Sequence, residues 1–377
     1  MIILLCILTA IGILAWLGAL VNIMKSLSKI TKPCLSFNKD SLKNAKISVI
    51  IPARNDGSNL AKAIESILMQ DIGVSEIIVV DDNSVDNTRD IITRYSMRDK
   101  RIKYIGLKNL PSDWSPKSYA LYVGYRSSLG DILVFLDADT RFVKKDSLGR
   151  LVSYALSNDA IISYAPRFYC SSRICKIMEV VLTTISHAFT GFNRVFNPRD
   201  KLAWFYGCCW SIQRRIYEHL GTHLIVKNSL VEDKDLAEHA KRKNVKIVIL
   251  RGWNDVETTW YDSINENIEA LTRILWRYGL KKPKALSSSL LIFLGYFLPI
   301  IDILTALFYS NIVLLSMGLT MYLILCLSHS IGAKLNGYNY LYTFMCPLGG
   351  LVLSTSILCS AFKKEIVWRG RVLKNIT

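Results

Sequence analysis

Apolar and polar positions are unevenly spread along this chain. Residues 1–23 (MIILLCILTAIGILAWLGALVNI) carry no charge, and a helix needs only about 20 apolar residues to cross a bilayer. Three more apolar runs lie at the other end: Leu286–Tyr309, Ile312–Ala333 and Leu341–Phe362. Between them, residues 40–280 mix short apolar runs with charged stretches, as a water-exposed domain does. Four parts follow: an anchor (1–24), a folded domain (40–280), C-terminal membrane segments (286–362) and a basic tail (363–377). The first run reads as an uncleaved anchor. It lacks a basic leader and a small-x-small cleavage site, and its apolar stretch is too long for a signal peptide.

Inside the domain, Lys46–Pro52 (KISVIIP) is a β-branched run stopped by proline, which predicts a buried strand. Asn55-Asp56-Gly57-Ser58 is turn and cap chemistry, and Leu60, Ala63, Ile64, Ile67 and Leu68 then recur at helical spacing. Glu76–Val80 predicts a second buried strand, 88–96 a polar helix, 102–107 a third strand, 118–130 a helix and 131–136 a fourth strand. Strands that are apolar throughout and alternate with helices predict an α/β fold with a mainly parallel sheet covered on both faces. Such sheets bind ligands at the carboxyl ends of their strands. Two strands here end in acid, at Asp81-Asp82 and at Asp137-Ala138-Asp139. Carboxylates crowded at one edge repel, so they need a cation or hydrogen-bond donors to stay there.

Asp137-x-Asp139 offers neighbouring carboxylates, one for a divalent ion and one for a ribose hydroxyl. Mn2+ or Mg2+ takes few protein oxygens and completes its shell with diphosphate and water. For Asp81 and Asp82 two readings stand side by side: capping of the following helix, or hydrogen bonding to a base or ribose. Lys117, in Trp114-Ser115-Pro116-Lys117-Ser118, is either a solvated loop lysine or a cation against a diphosphate. Glu232-Asp233 is either an acidic helix start that complements the macrodipole or a carboxylate placed to take an acceptor's proton. Ile264, Ile268, Leu271, Ile274, Leu275 and Tyr278 predict an amphipathic helix, lying in a membrane surface or packed on the sheet. Residues 174–196, with Phe189, Phe192 and Phe196, are a second candidate for the membrane surface.

The formal net charge of +17 has two explanations. No motif that reads DNA or RNA is present, and an anionic lipid surface accounts for the charge, so no nucleic-acid partner is expected. Nine cysteines without CxxC spacing are expected to be reduced packing residues. Lys25, Lys29 and Lys32 follow the first apolar run, and Lys281, Lys282 and Lys284 precede the second. A Lys/Arg excess marks the cytoplasmic side, which puts the domain in the cytoplasm of a multi-pass cell-membrane protein. Three further crossings would then leave Lys363, Lys364, Arg369 and Arg371 outside, against the same rule. One run is therefore expected not to cross. Leu286–Tyr309 contains Pro299 and Asp302 and is expected to be re-entrant or interfacial.

Five segments in order, ISVIIPARND, IIVVDDNSVDNT, WSPKSYALYVG, ILVFLDADT and VEDKDL, resemble the family 2 glycosyltransferases. The resemblance spans 47–279. With the tail Ile366-Val367-Trp368-Arg369-Gly370-Arg371, it is similar to the membrane branch that includes ceramide glucosyltransferase and hopanoid- and carotenoid-associated enzymes. It implies a GT-A nucleotide-diphospho-sugar transferase fold and an inverting, hexosyltransferase-type enzyme acting on a membrane lipid. Pro52, Arg54, Asp81, Asp82, Lys117 and Asp137 would line the donor pocket, and Asp139 with Asp137 would hold the metal. Asp233, next to Glu232, would be the base. The family's Q/R-x-x-R-W motif is replaced here by Thr272-Arg273-Ile274-Leu275-Trp276-Arg277, with arginine and tryptophan in another order. Arg273, Trp276, Arg369 and Arg371 are carried over as candidates for acceptor or diphosphate contact. A polyprenyl-phosphate sugar synthase is a near variant. A polysaccharide synthase fits the few membrane segments less well, and a non-enzymatic binder would not need the Glu232-Asp233 pair.

Overall fold

The computed structural model describes residues 1–33, 42, 44–276, 279–363 and 365, and the backbone of 366–368 and 371–374. Arg277, Tyr278 and Arg369 lie outside these residues, as does the side chain of Arg371. In chain order, the first elements are α1 (Ile2–Leu27), β1 (Ile47–Ala53), α2 (Gly57–Leu68), β2 (Glu76–Asp81), α3 (Thr88–Arg98) and β3 (Ile102–Gly106). Next come α4 (Pro116–Arg126), β4 (Ile132–Leu136), β5 (Thr140–Phe142), α5 (Ser147–Ser157), β6 (Ala160–Ala165), β7 (Arg167–Tyr169), α6 (Arg173–Thr190) and α7 (Phe192–Val195). These are followed by β8 (Cys209–Gln213), α8 (Arg214–His219), α9 (Glu232–Arg242), β9 (Lys246–Arg251), β10 (Val256–Thr259) and α10 (Ile264–Trp276). The last are α11 (Lys282–Phe308), α12 (Ile312–Asn336), α13 (Cys346–Phe362) and the strands β11 (Glu365–Trp368) and β12 (Arg371–Lys374).

Two compact units result. The first, the sheet unit (30–167, 195–259 and 367–377), is built on a seven-stranded sheet of order β3-β2-β1-β4-β8-β6-β9. All neighbours are parallel except β8, which runs antiparallel to both β4 and β6. The expected strands form because their β-branched residues are buried on both faces: Ile47, Val49, Ile50 and Ile51 are fully buried, as are Ile77, Val79 and Val80. Burial of each such side chain stabilises by about 1.5–3 kcal/mol. Pro52 sits in β1 opposite Val80, beyond Ile50↔Phe135 where pairing with β4 stops, so its missing N–H costs no bond on that side. Gly124 lets α4 lie close on β1; a Cβ there would be 2.5 Å from Ile50. A short antiparallel pair, β5 with β10, follows Asp139 directly.

The second unit gathers 1–29, 168–194 and 260–366. Four of its helices are long and apolar enough to cross a membrane: Ile2–Leu27, Lys282–Phe308, Ile312–Asn336 and Tyr340–Phe362. Helices α6 and α10, which fall within the 40–280 segment, group with these rather than with the sheet. The run expected to be re-entrant or interfacial, Leu286–Tyr309, falls almost wholly within one uninterrupted helix of 27 residues, Lys282–Phe308, that is long and apolar enough to cross a membrane. Pro299 has no N–H to give the carbonyl of Gly295, and Trp16 of α1 supplies one instead, its indole Nε1 donating to Gly295 O at 3.0 Å. Asp302 is fully buried and receives a hydrogen bond from the Thr9 hydroxyl. Both features that looked like helix interruptions are answered by α1.

The cysteine reading is corrected as well. Cys170 and Cys175 form a disulfide, Cα–Cα 5.4 Å, because the first turn of α6 folds Cys175 back over Cys170. Cys6, Cys208, Cys209, Cys326, Cys346 and Cys359 are free thiols.

Candidate active site

The acidic clusters end the two parallel strands that flank β1. Ala53 at the end of β1 pairs with Asp81 at the end of β2, and β4, on the other side of β1, delivers Asp137 and Asp139. The β1 and β2 loops are stitched together. Asn55 N–H donates to Ser84 Oγ at 2.9 Å, and Asn55 Oδ1 accepts from Val85 N–H at 2.8 Å. Asn55 and Asn83 both adopt the left-handed conformation (φ 50° and 54°), which asparagine tolerates.

Asp81 and Asp82 are both buried. Asp81 accepts from Ser84 N–H at 3.0 Å and from the Tyr104 hydroxyl at 3.2 Å, so it shapes the turn. At the start of α3, where Asn87 is the N-cap residue, the Thr88 N–H donates to the Asp86 carboxylate at 3.0 Å. The Arg54 guanidinium donates to the carbonyl of Asp82 and lies 3.6 Å from its carboxylate.

Lys117 is the hub. Pro116 starts α4 in its first turn, where a missing N–H is harmless, and aims Lys117 at the strand ends. Its Nζ is 2.9 Å from Asp137 Oδ2 and 2.9 Å from Glu232 Oε1. It is no solvated loop lysine. Burial pushes its pKa down, but Asp137, Glu232 and Asp233 together outweigh that and hold it well above the usual lysine range. Burial raises Glu232, yet Lys117 more than offsets this and keeps it ionised.

Asp233 behaves differently. Burial and the neighbouring Glu232 charge push it up to about 7, against the pull of Lys117. Its Oδ2 accepts from Gly207 N–H at 3.1 Å and its Oδ1 from Lys234 N–H at 2.7 Å. A Cβ on Gly207 would lie 2.6 Å from Asp233 Oδ2, so only glycine admits this approach. An acid of this kind ionises near neutrality, as a general base must.

Asp139 has Thr140 and Thr258 hydroxyls at 3.4 Å from Oδ1, and its carbonyl accepts from Thr259 N–H at 3.0 Å. Among the described residues no group of three or more His, Cys, Asp or Glu is arranged around a metal position. A pair of aspartates at a strand end is the donor set expected of an ion that draws its other ligands from diphosphate and water.

Cys208 and His223 join the site without having been singled out in the sequence. The Cys208 carbonyl accepts from Asp137 N–H at 2.9 Å. His223, buried and paired with the Tyr217 hydroxyl, is driven down to about 4 by burial, so it stays neutral near Glu232 and Lys117. Neither has a local signal, since each reaches the site through tertiary packing. Arg273 and Trp276 belong to the other unit, where Trp276 is buried and its indole donates to Lys363 O at 3.2 Å.

The glycosyl transferase family 2 model matches residues 48–221. A 4,4'-diaponeurosporenoate glycosyltransferase of Staphylococcus haemolyticus is 33% identical over 161 residues, 42% of this chain and 40% of that protein. The match thus spans less than half of that relative. An enzyme with the same name from Staphylococcus aureus is 25% identical over 328 residues, 82% of this chain and 83% of its own. A mannosyltransferase of Pyrobaculum calidifontis, solved in complex with GDP-Man and Mn2+, shares the fold. Its TM-score is 0.52 at 16% identity, over 94% of this chain and 97% of that one.

Proposed function

We propose that this chain, whose residues 48–221 match the glycosyl transferase family 2 model, moves a hexosyl group from a nucleotide-diphospho-sugar to a membrane lipid, with inversion. The relatives are named for diaponeurosporenoate, and a carotenoid-like acceptor suits a chain with four helices apolar enough for a bilayer. On this reading the enzyme sits in the cell membrane with its sheet unit in the cytoplasm, where nucleotide-sugars are made.

The observation that carries the proposal is the pairing of two adjacent acids with opposite behaviour. Glu232 is held ionised by Lys117, while Asp233 is pushed up to about 7. In the proposed reaction Asp233 takes the proton from the acceptor oxygen as that oxygen bonds to the anomeric carbon. The bond from that carbon to the diphosphate breaks with its electron pair leaving on the nucleoside diphosphate. Pro52, Arg54, Asp81 and Asp82 line the nucleotide end, and Asp137 with Lys117 faces the diphosphate. Asp137 and Asp139 would hold Mn2+ or Mg2+, which supplies charge stabilisation for the departing diphosphate. Lys117 also fixes Glu232 so that its charge keeps Asp233 basic.

Release of nucleoside diphosphate by the full-length protein, measured for a panel of nucleotide-sugars with and without lipid extract, tests this. Release that depends on lipid and yields a glycosylated lipid is expected. Release independent of lipid, or none with any donor, would reject it.

A further inference from the structure

Residues 340–362 qualify as a membrane crossing by length and composition, but their partners within the membrane-helix unit run in the wrong order for one. The segment starts at the end of α12. There Asn336 Oδ1 accepts from Phe168 N–H at 3.0 Å, and the Tyr338 hydroxyl donates to Phe168 O. Phe168 opens the 168–194 segment of this same unit. The chain then doubles back along α12. Cys326 Sγ donates to Thr343 O at 3.7 Å and the Tyr322 hydroxyl to Phe344 O at 2.7 Å. At 1.5 Å per residue, Cys326 and Tyr322 lie about 15–20 Å along α12 from Asn336. The short 3-10 helix Tyr340–Met345, rising about 2 Å per residue, covers most of that distance.

From Cys346 the direction reverses. Gly350 packs on Tyr296, where a Cβ would be 2.3 Å from the ring. Ser354 O accepts from Ser289 Oγ at 3.0 Å, and Lys282 Nζ lies 5.1 Å from the Phe362 ring centre. Partners 296, 289 and 282 thus lead back along α11 to its lysine-rich start. The Lys363 carbonyl, at the exit, is held by Trp276. We infer that residues 337–363 form a re-entrant hairpin that dips into the bilayer beside α12 and returns along α11 to the side it left.

The energetics agree. Helix α13, with 17 residues, is about 25 Å long, short of the roughly 30 Å hydrocarbon core. Backbone groups left over at membrane depth where α-helical pairing is interrupted must be satisfied by protein, which is what the Tyr322 hydroxyl and Cys326 thiol do for the carbonyls of Phe344 and Thr343 in the 3-10 turn. Charge agrees too. Lys25 ends α1, Lys282 begins α11, Lys334 ends α12 and Lys363 follows α13, while the α11–α12 turn (309–311) carries no charge. With a hairpin, Lys363, Lys364, Arg369 and Arg371 stay with the other juxtamembrane lysines, and the positive-inside rule is kept. The surface presented to lipid is therefore three crossings and one half-depth loop.

This can be tested on the full-length chain without reference to its activity. Three single substitutions, Ser310→Cys, Lys334→Cys and Lys374→Cys, are labelled in intact cells with a membrane-impermeant maleimide, before and after permeabilisation, over the background of the unsubstituted chain. Lys334→Cys and Lys374→Cys are expected to respond alike and opposite to Ser310→Cys. Lys374→Cys labelling in step with Ser310→Cys would make α13 a crossing and overturn the hairpin. A protease-cleavable tag after Thr377 reads the same sidedness with no substitution. Cleavage only from the face that labels at Lys334→Cys supports the hairpin, and cleavage from the other face overturns it.

Discussion

Lys117 and Glu232 meet in an ion pair of 2.9 Å at the junction of two helix N-termini, with Asp137 at the same distance on the other side of the ammonium. One cation thus serves a buried carboxylate, Glu232, and a half-buried one, Asp137, and acts on the ionisation of a third, Asp233. Lys117→Met should leave the carboxylates facing one another uncompensated. Removing one partner from a fully buried pair costs about 3–5 kcal/mol, and a smaller loss is expected here because Lys117 and Asp137 are partly exposed. A lower unfolding temperature in detergent is expected, together with weaker donor binding. Unchanged stability and unchanged donor affinity would refute the hub role.

In the proposed reaction Asp233 would act as a base only when deprotonated. Its pKa is raised to about 7 by burial and by Glu232, so turnover should rise with pH through about 7 and level off above it. Asp233→Asn should lower kcat by about 10²–10⁴-fold, the range of general acid–base contributions, with donor Kd almost unaltered. Calorimetric titration of donor into the variant decides the point, since a large loss of donor affinity would remove Asp233 from the base role.

Asp139→Asn should reduce transfer by about 10²–10³-fold, as loss of one electrostatic stabiliser does. Excess chelator should do the same to the unsubstituted enzyme, and added Mn2+ or Mg2+ should restore it. Full activity in chelator would exclude the metal.

Trp16 stands in for the backbone N–H that Pro299 lacks. Trp16→Phe should therefore destabilise by about 1–3 kcal/mol, the usual penalty for a buried carbonyl left unpartnered. Pro299→Ala restores the helical donor, so the same Trp16→Phe change should cost markedly less in that background. Thermal unfolding of the four combinations in detergent measures the coupling. Additive effects would mean that the indole bond does not replace the missing one.

Much of the fold was written locally. The runs around Ile47–Ile51, Ile77–Val80 and Ile132–Leu136 are apolar on both faces and end in proline or aspartate, so each strand and the acid at its tip could be read from a few neighbouring residues. The four apolar runs were equally plain, because tolerance for lipid is a property of composition. Tertiary structure decided the rest. Strand order and the antiparallel insertion of β8 bring Cys208, Gly207 and the start of α9 to the tip of β4, and that assembly fixes which acid is ionised and which is poised near neutrality. Sequence spacing carries no record of such meetings. The same limit applied in the membrane. Pro299 and Asp302 marked α11 as the irregular run, yet it is one continuous helix with partners from α1 at both positions, and the segment inferred to turn back is 337–363. Hydropathy reports whether a residue tolerates lipid, whereas the direction of a helix through the bilayer is set by which neighbours satisfy its backbone.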